Sequence, residues 1–212
     1  MGLKSSILLM LLPSCLKIKI LNRMGHSIGT NCYIGFSLLD VEHLKLADNS
    51  YIGHGNVFNK IKKLTMGQGS RINRWNYFTS SNAFDGRLTL GDCSSISLRH
   101  YFDLCSPISI GSNTIVAGIQ SVFFTHSKGI DPIDYVKPIA IGDWCYIGSN
   151  CNFVPGAKVD SYCFVGMGSV LTKDYSGIQY AMLAGNPANM KKALPRDGKY
   201  FQQKWIKHPH MK

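Results

Sequence analysis

The sequence predicts an all-β protein, a parallel β-helix of about seven three-sided coils with one long ejected loop. Two observations across its 212 residues predict this fold. An aliphatic residue is followed six places later by another at seven points, and a six-residue period fits neither an α-helix nor a simple strand. In every case the fifth residue of the first hexad is Ser, Thr or Cys. The pairs are Ile28/Ile34, Leu46/Ile52, Met66/Ile72, Leu90/Ile96, Ile110/Val116, Ile141/Ile147 and Val159/Val165.

The spacing between these pairs gives the shape of one coil. Successive pairs begin 18, 20, 24, 20, 31 and 18 residues apart, and 18 residues are three hexads. Each coil therefore has three sides, with aliphatic side chains inside and small residues in the corners. Residues in excess of 18 form loops ejected from the corners, where function is commonly carried, and the longest lies between Val116 and Ile141. The predicted corner residues are Cys32, Ser50, Ser70, Ser94, Thr114, Cys145 and Cys163.

The pattern divides the chain into an N-terminal part at 1–24, a β-helix at 25–176 with the ejected loop at 127–137, and a C-terminal extension at 177–212. The N-terminal part has an apolar run followed by Pro13. This run fits a short helix that caps the open end of the β-helix. It also fits an interfacial helix that holds the protein peripherally at the inner membrane.

The C-terminal extension has helical spacing from Asn189 onward. This spacing brings Tyr200, Phe201 and Trp205 together. Pro195 and Gly198 interrupt the pattern, so two short helices are expected rather than one.

The net charge of +11 is concentrated at the two ends of the chain. Residues 1–24 carry four cations and no acid, and residues 189–212 carry seven cations and one acid. The middle is nearly neutral, whereas a nucleic-acid groove needs a continuous basic stripe, so no nucleic-acid partner is expected. The cysteines fall mainly on corner positions and form no Cys-x-x-Cys pair, which favours a reduced, cytoplasmic setting and no structural zinc.

A family resemblance rests on an ordered set of motifs over about residues 104–192. The chain resembles the hexapeptide-repeat acetyltransferases, above all the maltose and galactoside enzymes and the O-antigen and capsule polysaccharide O-acetyltransferases. The resemblance implies a left-handed coil, an exception to the usual right-handed crossover, a homotrimer, and acetyl-CoA as acetyl donor. The motifs begin at Thr125 and His126, continue through Lys137-Pro138, Ile141-Gly142-Asp143, Pro155-Gly156 and Thr172-Lys173, and end at Ala184-Gly185-Asn186-Pro187-Ala188.

His126 stands at the lip of the longest loop. The resemblance implies that it is the general base that takes the proton from an acceptor hydroxyl. Imidazole chemistry agrees, because a histidine can be neutral near pH 7 and accept a proton. A zinc carbonic anhydrase of similar shape is excluded, since His100 and His126 lack a third histidine at suitable spacing, and no metal is expected.

The resemblance places the pantetheine of acetyl-CoA along the later coils, where small residues let the backbone approach a ligand. It places the adenine and its phosphate near Thr172 and Lys173. Lys191 and Lys192 either meet the phosphates or lie on a solvated helix face. The residues matched to the pantetheine are Gly148, Ser149, Gly166 and Met167.

The acceptor is predicted to be a sugar destined for a surface polysaccharide. The resemblance implies that Asp103 contacts the sugar. From the residues alone, Asp103 could instead orient His126 or cap a turn. Tyr101 and Phe124 offer flat faces for a sugar ring or for packing. Two alternatives stay open: acetylation of a xenobiotic or an amino sugar, and a scaffold without catalysis.

Overall fold

The computed structural model describes residues 3–128 and 134–203 and forms a left-handed parallel β-helix of about eight turns. All fourteen residues of the predicted aliphatic pairs are buried in one continuous core. The fold predicted from the hexads is therefore confirmed.

The coils contribute strands to three faces, and the strands of each face pair in parallel with their equivalents in the neighbouring coils. The first face contains Ser27–Ile28, Leu38–Leu46, Val57–Met66, Arg87–Leu90, Ile108–Ile110, Ile139–Ile141, Lys158–Val159 and Asp174–Tyr175. The second contains Tyr33–Ile34, Tyr51–Ile52, Arg71–Arg74, Ser95–Leu98, Ile115–Ile119, Tyr146–Ile147, Cys163–Val165 and Ala181–Gly185. The third face begins with the first residues of Leu38–Leu46 and Val57–Met66, two strands that turn the corner into the first face. Its other strands are Tyr77–Thr79, Tyr101–Asp103, Val122–Phe124, Asn152–Phe153 and Val170–Leu171.

The interior repeats because a parallel ladder in register places like residues above one another. On the third face five phenylalanines stack with ring centroids 4.4 to 4.8 Å apart, about the spacing of the strands. The corners hold small polar residues whose hydroxyls bond to backbone carbonyls. Thr114 Oγ1, for example, donates to the Gly142 carbonyl at 2.7 Å. The five rings belong to Phe58, Phe78, Phe102, Phe123 and Phe153.

Two helices pack on the first coil: α1 at Leu3–Met10 and α2 at Ser14–Arg23. Leu9 and Leu21 enter the core, and the Ser6 hydroxyl donates to the Leu39 carbonyl at 2.8 Å, an arrangement that agrees with the capping interpretation. Within the described residues, no helix has the length and apolar character that crossing a bilayer requires.

The C-terminal end differs from the sequence prediction in two respects. The second face has eight parallel strands, and the eighth, Ala181–Gly185, extends the ladder past residue 176. The helical spacing from Asn189 is wrong, because Ala188–Ala193 is a strand antiparallel to Ala181–Gly185. Pairing with the exposed edge of the last coil satisfies backbone groups that a helix there would leave open.

Only one short helix, α3 at Lys199–Gln202, follows in the described tail. Tyr200 and Phe201 on this helix pack edge-on against Phe164, with centroids 4.8 and 5.8 Å away. Trp205, predicted to join them, lies outside the described residues.

Candidate active site

Two insertions leave the β-helix at the corner between the third and first faces, which we call the loop corner. Residues 80–86 leave it after Tyr77–Thr79. The long loop leaves it two coils later, after Val122–Phe124, and begins as a hairpin of His126–Lys128 with Asp134–Val136. Because coils are stacked in register, both insertions project from the same edge of the prism. The residues between the two hairpin strands, 129–133, lie outside the described residues.

His126 and Asp103 form a close pair at the loop corner. His126 Nδ1 lies 2.7 Å from Asp103 Oδ2, and the His126 backbone N–H donates to the same oxygen at 3.3 Å. The Asp103 side chain is 5% exposed, whereas that of His126 is 46% exposed. A buried carboxylate that accepts from Nδ1–H fixes the imidazole tautomer in which Nε2 carries a lone pair.

Asp103 has further partners that hold it in place. Thr125 donates to Oδ2 through its backbone N–H at 3.1 Å, and its hydroxyl donates to the Asp103 backbone carbonyl at 2.8 Å. The Cys105 thiol donates to Oδ1 at 3.2 Å. Both carboxylate oxygens are thus engaged inside the protein. Of the three roles that the sequence left open for Asp103, this geometry fits the orientation of His126, and it leaves little of the carboxylate for a sugar.

Cys105 is a buried thiol next to this pair. Burial, and then its hydrogen bond to Asp103, raise the pKa of Cys105 to about 12. The thiol is therefore neutral at pH 7 and acts as a donor. Sequence reasoning did not assign Cys105 a role.

Aromatic side chains lie on the outer side of the third face, on strands that pair with the one that carries Asp103. Tyr101 lies between Tyr77 and Phe124, with ring centroids 5.7 Å away in each case. Phe84, in the insertion 80–86, lies 6.3 Å from the His126 ring and roughly parallel to it. Tyr101 is on the strand that carries Asp103, and Phe124 is on the paired strand that leads into His126; their role as sugar contacts stays a prediction. Phe84 was missed, although the six-residue excess between Met66 and Leu90 marks its insertion.

The same insertion also borders a cavity of about 350 Å³ on the loop corner. The cavity has both signs of charge on its wall and lies toward the N-terminal coils. Its lining is Asp40, Glu42, Lys60, Ile61, Lys62, Ser81 and Asn82.

The residues matched to acetyl-CoA lie in three places. Thr172 and Lys173 follow Val170–Leu171 and so lie on the loop corner, two coils beyond His126. The glycines and their neighbours lie instead on the corner between the second and third faces, which we call the second corner. Lys191 and Lys192 are exposed on Ala188–Ala193, a strand and not the solvated helix considered from the sequence. The second-corner set is Gly148, Ser149, Gly166 and Met167.

At the second corner the coils approach one another closely. A Cβ on Gly148 would lie 2.8 Å from the Met167 backbone nitrogen, so only glycine fits there. Met167 is 75% exposed, a large apolar side chain with no cover within one chain. The structure therefore separates this corner from His126 by the width of the third face.

Comparisons with known proteins agree with the motifs. Residues 138–173 match a family model described as the hexapeptide repeat of succinyl-transferase. A Dictyostelium discoideum protein that is provisionally named an acetyltransferase is 35% identical to this chain over 102 residues, which are 45% of this chain and 51% of that protein. The bifunctional protein GlmU of Marinobacter nauticus is 26% identical over 166 residues, 78% of this chain and 29% of that protein. This chain thus spans about half or less of the length of these two relatives.

Solved structures share the fold. The hexapeptide-repeat acetyltransferase VCA0836 of Vibrio cholerae, crystallised with acetyl coenzyme A, superimposes with a TM-score of 0.53 at 18% identity, over 91% of this chain and 87% of that one. The polysialic acid-specific acetyltransferase NeuO gives a TM-score of 0.50 at 17% identity, over 79% and 81% of the two chains. The resemblance to hexapeptide-repeat acetyltransferases predicted from the motifs is confirmed.

Proposed function

We propose that this chain is an acetyl-CoA-dependent O-acetyltransferase in which His126 is the general base and a sugar hydroxyl is the acceptor. The observation that carries the proposal is the 2.7 Å contact between His126 Nδ1 and the buried Asp103 carboxylate, at the lip of the ejected loop. A histidine that is only exposed to solvent is not expected to have a buried carboxylate in contact with one of its ring nitrogens. The half-exposed ring leaves Nε2 able to meet a substrate.

The chemistry follows from this tautomer. Nε2 accepts the proton of the acceptor hydroxyl as its oxygen attacks the thioester carbonyl of acetyl-CoA. The new C–O bond forms, the C–S bond breaks, and the imidazolium returns its proton to the departing thiolate. The Asp103 carboxylate faces the imidazolium that forms between the two steps and stabilises it. General-base catalysis of this kind contributes about 10²- to 10⁴-fold.

The donor is proposed to bind between subunits of a homotrimer. Thr172 and Lys173 share the loop corner with His126, whereas Gly148, Ser149, Gly166 and Met167 lie on the second corner. Packing prisms around a threefold axis would bring the loop corner of one subunit to another corner of its neighbour, and this would cover Met167. Lys191 and Lys192 are proposed phosphate contacts.

The acceptor is proposed to be a surface-polysaccharide sugar such as an O-antigen or capsule unit. The exposed rings of Tyr77 and Phe124 and the half-buried ring of Tyr101 provide flat apolar faces on the three neighbouring strands of the third face that include the strand of Asp103. Such faces suit the C–H side of a sugar ring. The name of the structurally similar polysialic acid acetyltransferase supports a saccharide acceptor.

A peripheral position at the cytoplasmic side of the inner membrane is also proposed, with anionic lipid as the partner. Helices α1 and α2 expose several large apolar side chains beside exposed cations and carry no acid, a combination that suits an anionic interface. Flotation with vesicles of neutral and of anionic phospholipid tests this, because binding to neither would refute it. The exposed helix residues are Ile7, Leu8, Leu16, Lys19 and Arg23, and Leu11 is exposed in the turn between the helices.

The direct test is coenzyme A release from acetyl-CoA, measured by chromatography across a panel of sugars and amines. The expected result is acetylation of a saccharide hydroxyl that depends on His126. Turnover only with amines would favour the amino-sugar or xenobiotic alternative. No acetyl-CoA binding by calorimetry would favour the scaffold.

A further inference from the structure

We propose that Asp103, Cys105 and His126 form a binding site for Zn²⁺, and that zinc bound there switches the site off. Each residue offers one ligand atom, and the three atoms lie within 4.8 Å of one another. Within residues 3–128 and 134–203 this is the one group of three such residues so placed. The inhibitory consequence rests on the proposed role of His126; the binding itself does not.

The donor set matches zinc in kind. Thiolate sulfur, imidazole nitrogen and carboxylate oxygen are its usual protein ligands, at about 2.3, 2.0 and 2.0 Å. Tetrahedral angles at those bond lengths place the ligand atoms about 3.3–3.5 Å apart. Cys105 Sγ is already 3.2 Å from Asp103 Oδ1, and His126 Nδ1 is 2.7 Å from Asp103 Oδ2. Cys105 Sγ and His126 Nδ1 lie within 4.8 Å of each other, so these two atoms must approach by up to about 1.3 Å to bind one ion.

The three ligands are held in place before any metal arrives. Asp103 Oδ2 accepts the backbone N–H groups of Thr125 and His126, besides the ring contact, and the Thr125 hydroxyl donates to the Asp103 backbone carbonyl. Cys105 is buried two residues further along the same chain segment. A preformed set spares the ion the cost of ordering its ligands. His126 is 46% exposed, which leaves a route from solvent and an open fourth position for water.

Zinc binding would change the protonation of the pair in a defined way. Cys105 releases its thiol proton to solvent as Sγ binds the metal. The proton on His126 Nδ1 moves to Nε2, because Nδ1 now donates its lone pair to zinc. One thiolate and one carboxylate balance the two positive charges. With a proton on Nε2, the imidazole can no longer accept the proton of an acceptor hydroxyl.

The binding test uses the untagged full-length chain, stripped of metal, and needs no substrate. Co²⁺ is titrated as a spectroscopic probe, since cobalt bound to a thiolate gives a charge-transfer band in the near ultraviolet. Zn²⁺ affinity is measured by competition with a chromophoric chelator. The variants are Cys105→Ser and, as a matched control, Cys93→Ser, which changes a half-buried cysteine on another corner. Melting curves check that each variant is folded.

The expected result is one Co²⁺ per chain with a thiolate band that Cys105→Ser abolishes and Cys93→Ser keeps. Loss of this ligand should weaken Zn²⁺ binding by at least about 100-fold, beyond the 10- to 100-fold typical of outer-shell changes. His126→Asn should weaken it similarly. A thiolate band that survives Cys105→Ser, or no band at one equivalent of metal, would overturn the proposal.

The inhibition test measures coenzyme A release at rising Zn²⁺ and then with added chelator. Each variant is compared with its own metal-free rate, so a change in basal activity does not enter. The wild-type chain should be inhibited reversibly, and Cys105→Ser should lose this sensitivity. Equal inhibition of both would overturn the switch. A chain that binds Zn²⁺ through Cys105 but transfers no acetyl group would refute the proposed function and leave the metal site standing.

Discussion

Asp103→Asn separates the charge of the carboxylate from its shape. An asparagine with its amide oxygen at the Oδ2 position can still accept from Thr125 and from His126 Nδ1, and its amide group faces Cys105. Hydrogen bonding is thus largely kept, while the negative charge next to the imidazolium is lost. The substitution therefore tests whether Asp103 stabilises the positive charge that develops on His126 during proton transfer.

The size of the effect follows from the geometry. The centres of the two charged groups are about 4 Å apart, where unit charges interact by about 4 kcal/mol at an effective dielectric constant of about 20. His126 is 46% exposed, so water screens part of this and about 2–3 kcal/mol remains. At 1.36 kcal/mol per tenfold, kcat should fall roughly 30- to 150-fold.

The assay is steady-state coenzyme A release, with the Michaelis constant of the sugar measured in parallel. Asp143→Asn is the control, since Asp143 caps a turn remote from the loop corner by accepting the Ser112 N–H. A value of kcat within about threefold of wild type would refute the stabilisation of the imidazolium by the Asp103 charge. A raised Michaelis constant for the sugar at unchanged kcat would instead identify Asp103 as the sugar contact that the resemblance implied.

Three further expectations concern the core, the donor and acid stability. Phe102→Ala should lower the free energy of unfolding in urea by about 3–5 kcal/mol, because its ring is buried between two stacked rings; a loss below about 1 kcal/mol would contradict the column. Acetyl-CoA should raise the melting temperature of the chain, whereas acetate should not. Replacing both Lys191→Glu and Lys192→Glu should weaken this rise, most strongly at low salt. An unchanged rise in the double variant would show that these lysines do not contact the donor. Burial lowers the pKa of His100 from 6.5 to about 4, so the unfolded chain binds more protons than the folded chain between these pH values. The free energy of unfolding should therefore fall by about 3 kcal/mol as the pH drops from 6.5 to 4. His100→Asn should remove this pH dependence, and an unchanged pH dependence would exclude His100 as its source.

The sequence predicted those features that depend on local repetition. Hexads report directly which residues face the core, so the aliphatic pairs and the loop position were found. Ala188–Ala193 was misread because its helical spacing is local, whereas its strand is set by the unpaired edge of the last coil. The eighth strand was missed because Ala181 and Leu183 follow a part of the chain that leaves the hexad rhythm.

The candidate site likewise contains residues that a local pattern predicts and residues that only the fold brings together. His126 was proposed from its place at the loop, and the orienting role of Asp103 was one of three open alternatives. The pair itself could not be read from the chain, because 23 residues separate its members and only the parallel register brings them together. Phe84 and Cys105 join the site for the same reason.

The most direct test of the central claim is the turnover of His126→Asn with an acceptor that the wild-type chain acetylates. Asparagine can donate a hydrogen bond but cannot accept and carry the proton, so turnover should fall at least about 100-fold. Acetyl-CoA affinity by calorimetry should stay nearly constant, and the free energy of unfolding should change by less than about 1 kcal/mol, because the ring lies at a half-exposed lip. Full turnover by the folded variant, measured as coenzyme A release, would show that His126 is not the base.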